Sequence, residues 1–178
     1  MFSVHNAVFV LVDLQEKLAP AIHERDKLIE SIVRLARGLH VLEVPMLWAE
    51  QNPRGLGRTV PQVAALMPGE PISKLSFGCC GEPRFMEALR ATRRRQVLLA
   101  GIEAHVCVYQ TAAGLVEAAY EVQVVADAVS SRTPQNREIG LQKARHAGAS
   151  LTSVETVLFE LLGVAEGPKF KEILQIVK

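Results

Sequence analysis

The sequence predicts an α/β protein of the doubly wound class: a three-layer, Rossmann-like fold with a six-stranded parallel sheet, order 3-2-1-4-5-6, flanked by helices. Three observations predict it. Short apolar, β-branched runs alternate with longer amphipathic ones along the chain, which is the pattern of βαβ units. The strand-like runs are apolar on both faces, as strands covered by helices on both sides must be. No repeat, low-complexity tract or linker interrupts the 178 residues, so one domain spanning residues 1–178 is expected. Periodicity leaves the strand order open; the order given is the commonest for a doubly wound sheet with right-handed crossovers.

Each element has its own signal. Ala7–Leu14 (AVFVLVDL) reads as a central strand. From Asp26 to Leu42, apolar residues recur at spacings of three and four, so this is an amphipathic helix. Val44–Ala49 is a second strand with Pro45 at its start, where a missing donor is tolerated. A Gly-, Pro- and Asn-containing loop follows over Gln51–Gly57, then one or two helical turns over Val60–Met67. A short strand at Ile72–Leu75 leads through a loop at Gly78–Gly81 to a helix over Pro83–Ala91. Gln96–Ala100 is a buried strand ended by Gly101, and His105–Ala119 a helix of small and apolar residues. Glu121–Ala126 is the fifth strand; Pro134 suits the first turn of a helix reaching Ala147. Ala149–Thr152 is the last strand, and helices over Val154–Leu162 and Pro168–Val177 close the chain.

Composition narrows the function classes. With 20 Lys+Arg against 19 Asp+Glu the net charge is +1, which gives no electrostatic reason to expect nucleic acid or an anionic membrane as partner. A 49% apolar, 22% charged composition excludes intrinsic disorder. Cys79, Cys80 and Cys107 are too few and odd in number for a disulfide framework, so a reducing, cytoplasmic setting is expected. The apolar run Ala7–Val12 stops at Asp13 with no basic residue before it, reading as neither signal peptide nor membrane span.

Open α/β sheets bind ligands where their strands end, so reactive residues just after strands matter most. Asp13 ends the first strand, Lys74 the third, and Cys107 follows the fourth. If strands one and four are neighbours, the three converge on one crevice. Cys107 near a helix start would be favoured as thiolate, Lys74 would lower its pKa further, and Asp13 could take its proton. Singly, each has a bland reading: a free Cys is more often a small buried hydrophobe, a Lys a solvated surface group, and an Asp a turn cap. The combination changes the balance, because a charge directly ending an apolar strand is costly to bury.

These residues lie in stretches that resemble the isochorismatase-like hydrolase superfamily, in its subgroup of isochorismatase domain-containing proteins. The stretches are VLVDLQEKL at 10–18, KLSFG at 74–78, LLAGIEAHVCVYQTA at 98–112, YEVQVVADAVSSR at 120–132, HAGASLTSVETVLFELLG at 146–163 and PKFKEI at 168–173. The resemblance implies an Asp13, Lys74, Cys107 catalytic triad and a non-proline cis peptide at Ile102–Glu103. It implies an oxyanion hole from the backbone amides of Glu103 and Cys107, and a homo-oligomer. It also implies cleavage of an amide or related C–N bond through a thioester. Nicotinamidases of the superfamily carry metal-binding histidines after the second strand. This chain has WAEQNPRGLG at 48–57 instead, so no metal and no other cofactor is expected, and nicotinamide is disfavoured as substrate. True isochorismatases lack the nucleophilic cysteine; Cys107 sets this chain apart from them.

Gln15 and Phe77 are weaker candidates for shaping a substrate pocket; a loop polar residue and plain core packing are their ordinary readings. Cys79 and Cys80 read as free thiols. His105 could cap the helix or face a partner, leaving Asp13 as the base. Arg93–Arg95 read as a solvated edge. The leading expectation is a hydrolase of a small molecule. The alternative is a non-catalytic scaffold that keeps the fold, for which a Cys107 pKa near the free-thiol ~8.5 would speak. A nucleotide-binding enzyme is weaker still, since no G-x-G-x-x-G follows the first strand.

Overall fold

A computed structural model describes residues Met1–Lys178. Its framework is one parallel sheet of six strands: β1 (Ala7–Val12), β2 (Met46–Gln51), β3 (Ile72–Lys74), β4 (Gln96–Gly101), β5 (Glu121–Val129) and β6 (Ser150–Thr152), in the order β3-β2-β1-β4-β5-β6. β1 and β4, the two central strands, are buried at every position. Their sequences, AVFVLV and QVLLAG, show why: both faces are apolar, and alternate side chains feed two separate cores.

Phe9 and Leu11 of β1 face one layer, made by α1 (Arg25–Val41), α3 (Pro61–Ala64), α7 (Val154–Leu162) and α8 (Gly167–Val177). Val8, Val10 and Val12 face the other, made by α4 (Pro83–Ala91), α5 (Tyr109–Glu117) and α6 (Pro134–His146). The short α2 (Pro53–Leu56) lies in the loop after β2. Caps fit the local sequence: the Thr133 side chain accepts from the Asn136 amide, and Ser153 from the Thr156 amide. No helix is long and apolar enough to cross a membrane.

Four elements differ most from the sequence reading. The helix expected over His105–Ala119 begins as a π-helical turn, Ala104–Val108, and is α-helical only over Tyr109–Glu117. β5 runs to Val129, past the expected end at Ala126, because its pairing with β4 shifts register between Leu99 and Gly101. Two short helices, Ala19–Ala21 and Pro53–Leu56, fall in segments with too few residues to show a period.

Candidate active site

β1 ends at Val12, and the next residue, Asp13, turns in the left-handed region at φ 51°. Its carboxylate is sealed from solvent. Lys74 ends β3 two strands away and is only 1% exposed. Its Nζ donates to Asp13 Oδ2 at 2.6 Å, Gln51 Oε1 at 2.8 Å and the Phe77 carbonyl at 2.9 Å, with the Ser76 carbonyl at 3.2 Å. Four acceptors surround a group with three protons, so protein atoms coordinate the ammonium completely. It therefore acts on the site by holding Asp13. The second carboxylate oxygen, Asp13 Oδ1, is buried and has no conventional hydrogen-bond partner.

Cys107 reaches this carboxylate because β4 leaves the sheet hard against the end of β1. Val12 pairs with Gly101, and the Ile102 amide donates to the Val12 carbonyl at 2.9 Å. Gly101 has φ 118°, and a Cβ there would lie 2.0 Å from the Val12 oxygen, so only glycine fits. The Ile102–Glu103 peptide is cis. The π-helical turn that follows carries Cys107, and π turns recur at functional positions. On its outer side α6 presses in at Gly140, where a Cβ would come within 2.3 Å of the Ala104 backbone. Buried Cys107 thus stands beside Asp13, and each group alters the other's ionisation.

The electrostatics reverse one expectation. Burial is the largest influence on the Cys107 thiol and raises its pKa; the Asp13 charge raises it further, and Lys74 only partly opposes them. Both influences favour the protonated thiol over the thiolate that the sequence predicts. Asp13 is also held above the ordinary aspartate range, by burial against the opposing pull of Lys74. A carboxylate less acidic than usual is a better base.

The other candidates fall as follows. Glu103 sits at the turn before Cys107, and its carboxylate accepts from the Arg132 amide and Nε, both at 3.1 Å. Gln15 is fully buried, and its amide ties loops together: Nε2 donates to the Gln51 and Gly57 carbonyls, and Oε1 accepts from the Gln51 amide. Phe77 is 56% exposed, which removes the core-packing reading for its ring. His105 Nδ1 lies 3.0 Å from Ser131 Oγ. The three thiols are free, with buried Cys79 pushed up to about 12 and Cys80 to about 11 by burial.

Sequence reasoning passed over Gln51 and Glu50. Gln51 accepts from Lys74 and donates from Nε2 to the Leu75 carbonyl at 2.8 Å, bracing the lysine. Glu50 is buried and accepts from the Thr59 amide at 2.7 Å and hydroxyl at 3.0 Å, with Arg58 at 3.3 Å. Both are ordinary polar residues at a strand end, and neither Glu50's burial nor Gln51's bond to Lys74 has a sequence signal. No group of three His, Cys, Asp or Glu side chains converges to hold a metal.

The Isochorismatase domain family model matches residues 7–156. The chain belongs to the isochorismatase family. Within it, the chain is 38% identical over 176 residues to isochorismatase domain-containing protein 2 of Danio rerio, covering 98% of this chain and 88% of that one. Among solved structures, the MAR1 ribonuclease of Caenorhabditis elegans superposes with a TM-score of 0.92 at 37% identity, covering 99% of this chain and 91% of that one. The Escherichia coli YcaC gene product, described as an octameric hydrolase of unknown specificity, gives 0.92 at 24% identity, covering 98% and 88%. At that identity the likeness shows the isochorismatase fold alone.

Proposed function

We propose that this isochorismatase-family chain is a cysteine hydrolase that cleaves an amide or related C–N bond of a small molecule. One observation carries the reading: a buried Lys74 grips Asp13 Oδ2 at 2.6 Å, and the Asp13 carboxylate it holds lies close enough to the Cys107 thiol for each to act on the other's ionisation. A carboxylate held this way is the acceptor a thiol proton needs.

In the proposed sequence, Asp13 Oδ1 takes the thiol proton as Cys107 Sγ bonds to the substrate carbonyl carbon. The backbone amides of Glu103 and Cys107 stabilise the resulting oxyanion. Collapse breaks the C–N bond, and Asp13 returns the proton to the departing nitrogen. Water, deprotonated by Asp13, then attacks the thioester; acid is released and the thiol re-forms. Lys74 keeps Asp13 oriented and balances its charge throughout. Phe77, exposed on the loop after Lys74, and the loop held by Gln15 are the segments this reading assigns to substrate entry. The test is a screen of small neutral amides and imides with wild type and Cys107→Ala. Turnover dependent on Cys107 supports the reading; undiminished turnover of the same substrate by Cys107→Ala overturns it.

The ribonuclease description of the Caenorhabditis elegans relative gives a second reading a place in that screen. Against it stand the carboxylate at the centre of the site, which repels a phosphodiester, and the placement of the arginine triplet. Arg93–Arg95 lie just before β4 begins, whereas the site lies where β4 ends. RNA cleavage that survives Asp13→Asn and Cys107→Ala would come from elsewhere. We also propose a cytoplasmic homo-oligomer, in line with free thiols and with the exposed apolar side chains of Leu75 and Phe77. Light scattering should return a multiple of 19.5 kDa; a monomer at micromolar concentration overturns it.

A further inference from the structure

The mechanism above leaves the fully buried Thr111 hydroxyl unused. Thr111 sits on α5, one turn beyond Cys107, and its side chain makes two bonds. Its Oγ1 donates to the Cys107 carbonyl at 2.7 Å and accepts from the Cys79 amide at 2.9 Å. A threonine hydroxyl bonding back four residues is common in helices; the second bond is the informative one. Cys79 belongs to the loop that follows Lys74, the same loop whose Phe77 and Ser76 carbonyls coordinate the lysine. One hydroxyl therefore joins the backbone carrying the nucleophile to the loop that fixes Lys74, and through Lys74 to Asp13.

The join matters because both partners lie where regular bonding is interrupted. Cys107 is in a π-helical turn, and Cys79 opens a single 3-10 turn. Neither turn has the repeated ladder that holds a long helix in place. Displacing reacting groups by about 1 Å can cost on the order of 100-fold in rate. We propose that Thr111 is a positioning residue for catalysis: it sets the separation of the Cys107 sulfur from the Asp13–Lys74 pair. This rests on Cys107 acting as a nucleophile with Asp13 as its base.

The experiment follows alkylation of Cys107 by iodoacetamide at pH 7, read by peptide mass, in wild type, Thr111→Val, Thr111→Ser and Asp13→Asn. In the reaction sulfur bonds to the methylene carbon, iodide departs and the thiol proton goes to Asp13. The saturating rate, kinact, should fall tenfold or more in Thr111→Val with KI within twofold, and Thr111→Ser should stay within threefold of wild type. A role in stability alone lowers the melting temperature without this split or the serine rescue. If Thr111→Val does not fold, Thr111→Ala takes its place, with the same expectation. If Asp13→Asn is slowed and the Thr111 variants are not, the positioning role is overturned while the base-assisted nucleophile stands. If Asp13→Asn matches wild type, both fall.

Discussion

Asp13 and Lys74 form an ion pair 2.6 Å long with both side chains wholly excluded from solvent, although 61 residues separate them in sequence. Such a pair stabilises little by itself, because desolvating two charges offsets their attraction, but removing one partner strands the other. Asp13→Asn or Lys74→Met alone should each cost about 3–5 kcal/mol in urea unfolding, while the double variant costs less than either. All three should lose Cys107 reactivity. Additive costs in the double-mutant cycle would falsify the coupling.

The closeness of β1 and β4 at their ends gives a second test. Alanine at Gly101 would place its Cβ 2.0 Å from the Val12 oxygen, at a φ of 118°. Strain and overpacking together should destabilise by roughly 3 kcal/mol or more. Gly69 provides the control: its φ is also positive, at 62°, but nothing lies within 4 Å of an added Cβ. Gly69→Ala should cost only about 1 kcal/mol. Equal losses in thermal unfolding would mean that the close approach carries no weight.

Reactivity should depend on pH through Asp13. The base is its ionised form, so kcat/KM, or the rate of Cys107 modification, should be low in acid and rise as Asp13 deprotonates. Burial holds that group above the ordinary aspartate value, so the acid limb should lie above ~3.9. The Cys107 thiol is itself held high, so no thiolate-driven rise is expected near neutrality. In Asp13→Asn the acid limb should vanish, leaving a slow rate that climbs only in strong alkali. A rise centred on the ordinary thiol value of ~8.5 in wild type would contradict this assignment.

Chelation should have no effect. Glu50, the acidic side chain at the end of β2, already accepts from Thr59 and Arg58, and no histidine lies at 48–57. Overnight dialysis against EDTA should leave turnover of any Cys107-dependent substrate within twofold, with no gain on adding zinc. A loss that zinc restores would show a metal role.

Much of this was legible along the chain. Strands appear as doubly apolar runs and helices as three-and-four spacings, because local hydrophobic period reports which faces are covered. Asp13, Lys74 and Cys107 are legible because each follows or ends an apolar strand run. Their surroundings were not legible. Lys74 reads locally as a surface residue, and nothing near it announces four oxygens; Gln51 and Thr111 have no pattern of their own. The thiol's raised pKa could not be read either, because Lys74 and Asp13 act on Cys107 in opposite senses and burial decides between them.

The sequence by itself thus determined the parallel α/β architecture, the family and the strand-end positions of Asp13, Lys74 and Cys107, since each is written in short-range pattern or motif. Only the tertiary structure decided that Lys74 binds Asp13, that burial raises the Cys107 thiol, and that Thr111 joins the Cys107 segment to the loop after Lys74. Those properties depend on how completely segments far apart in the chain exclude water from one another, and desolvation has no local signature.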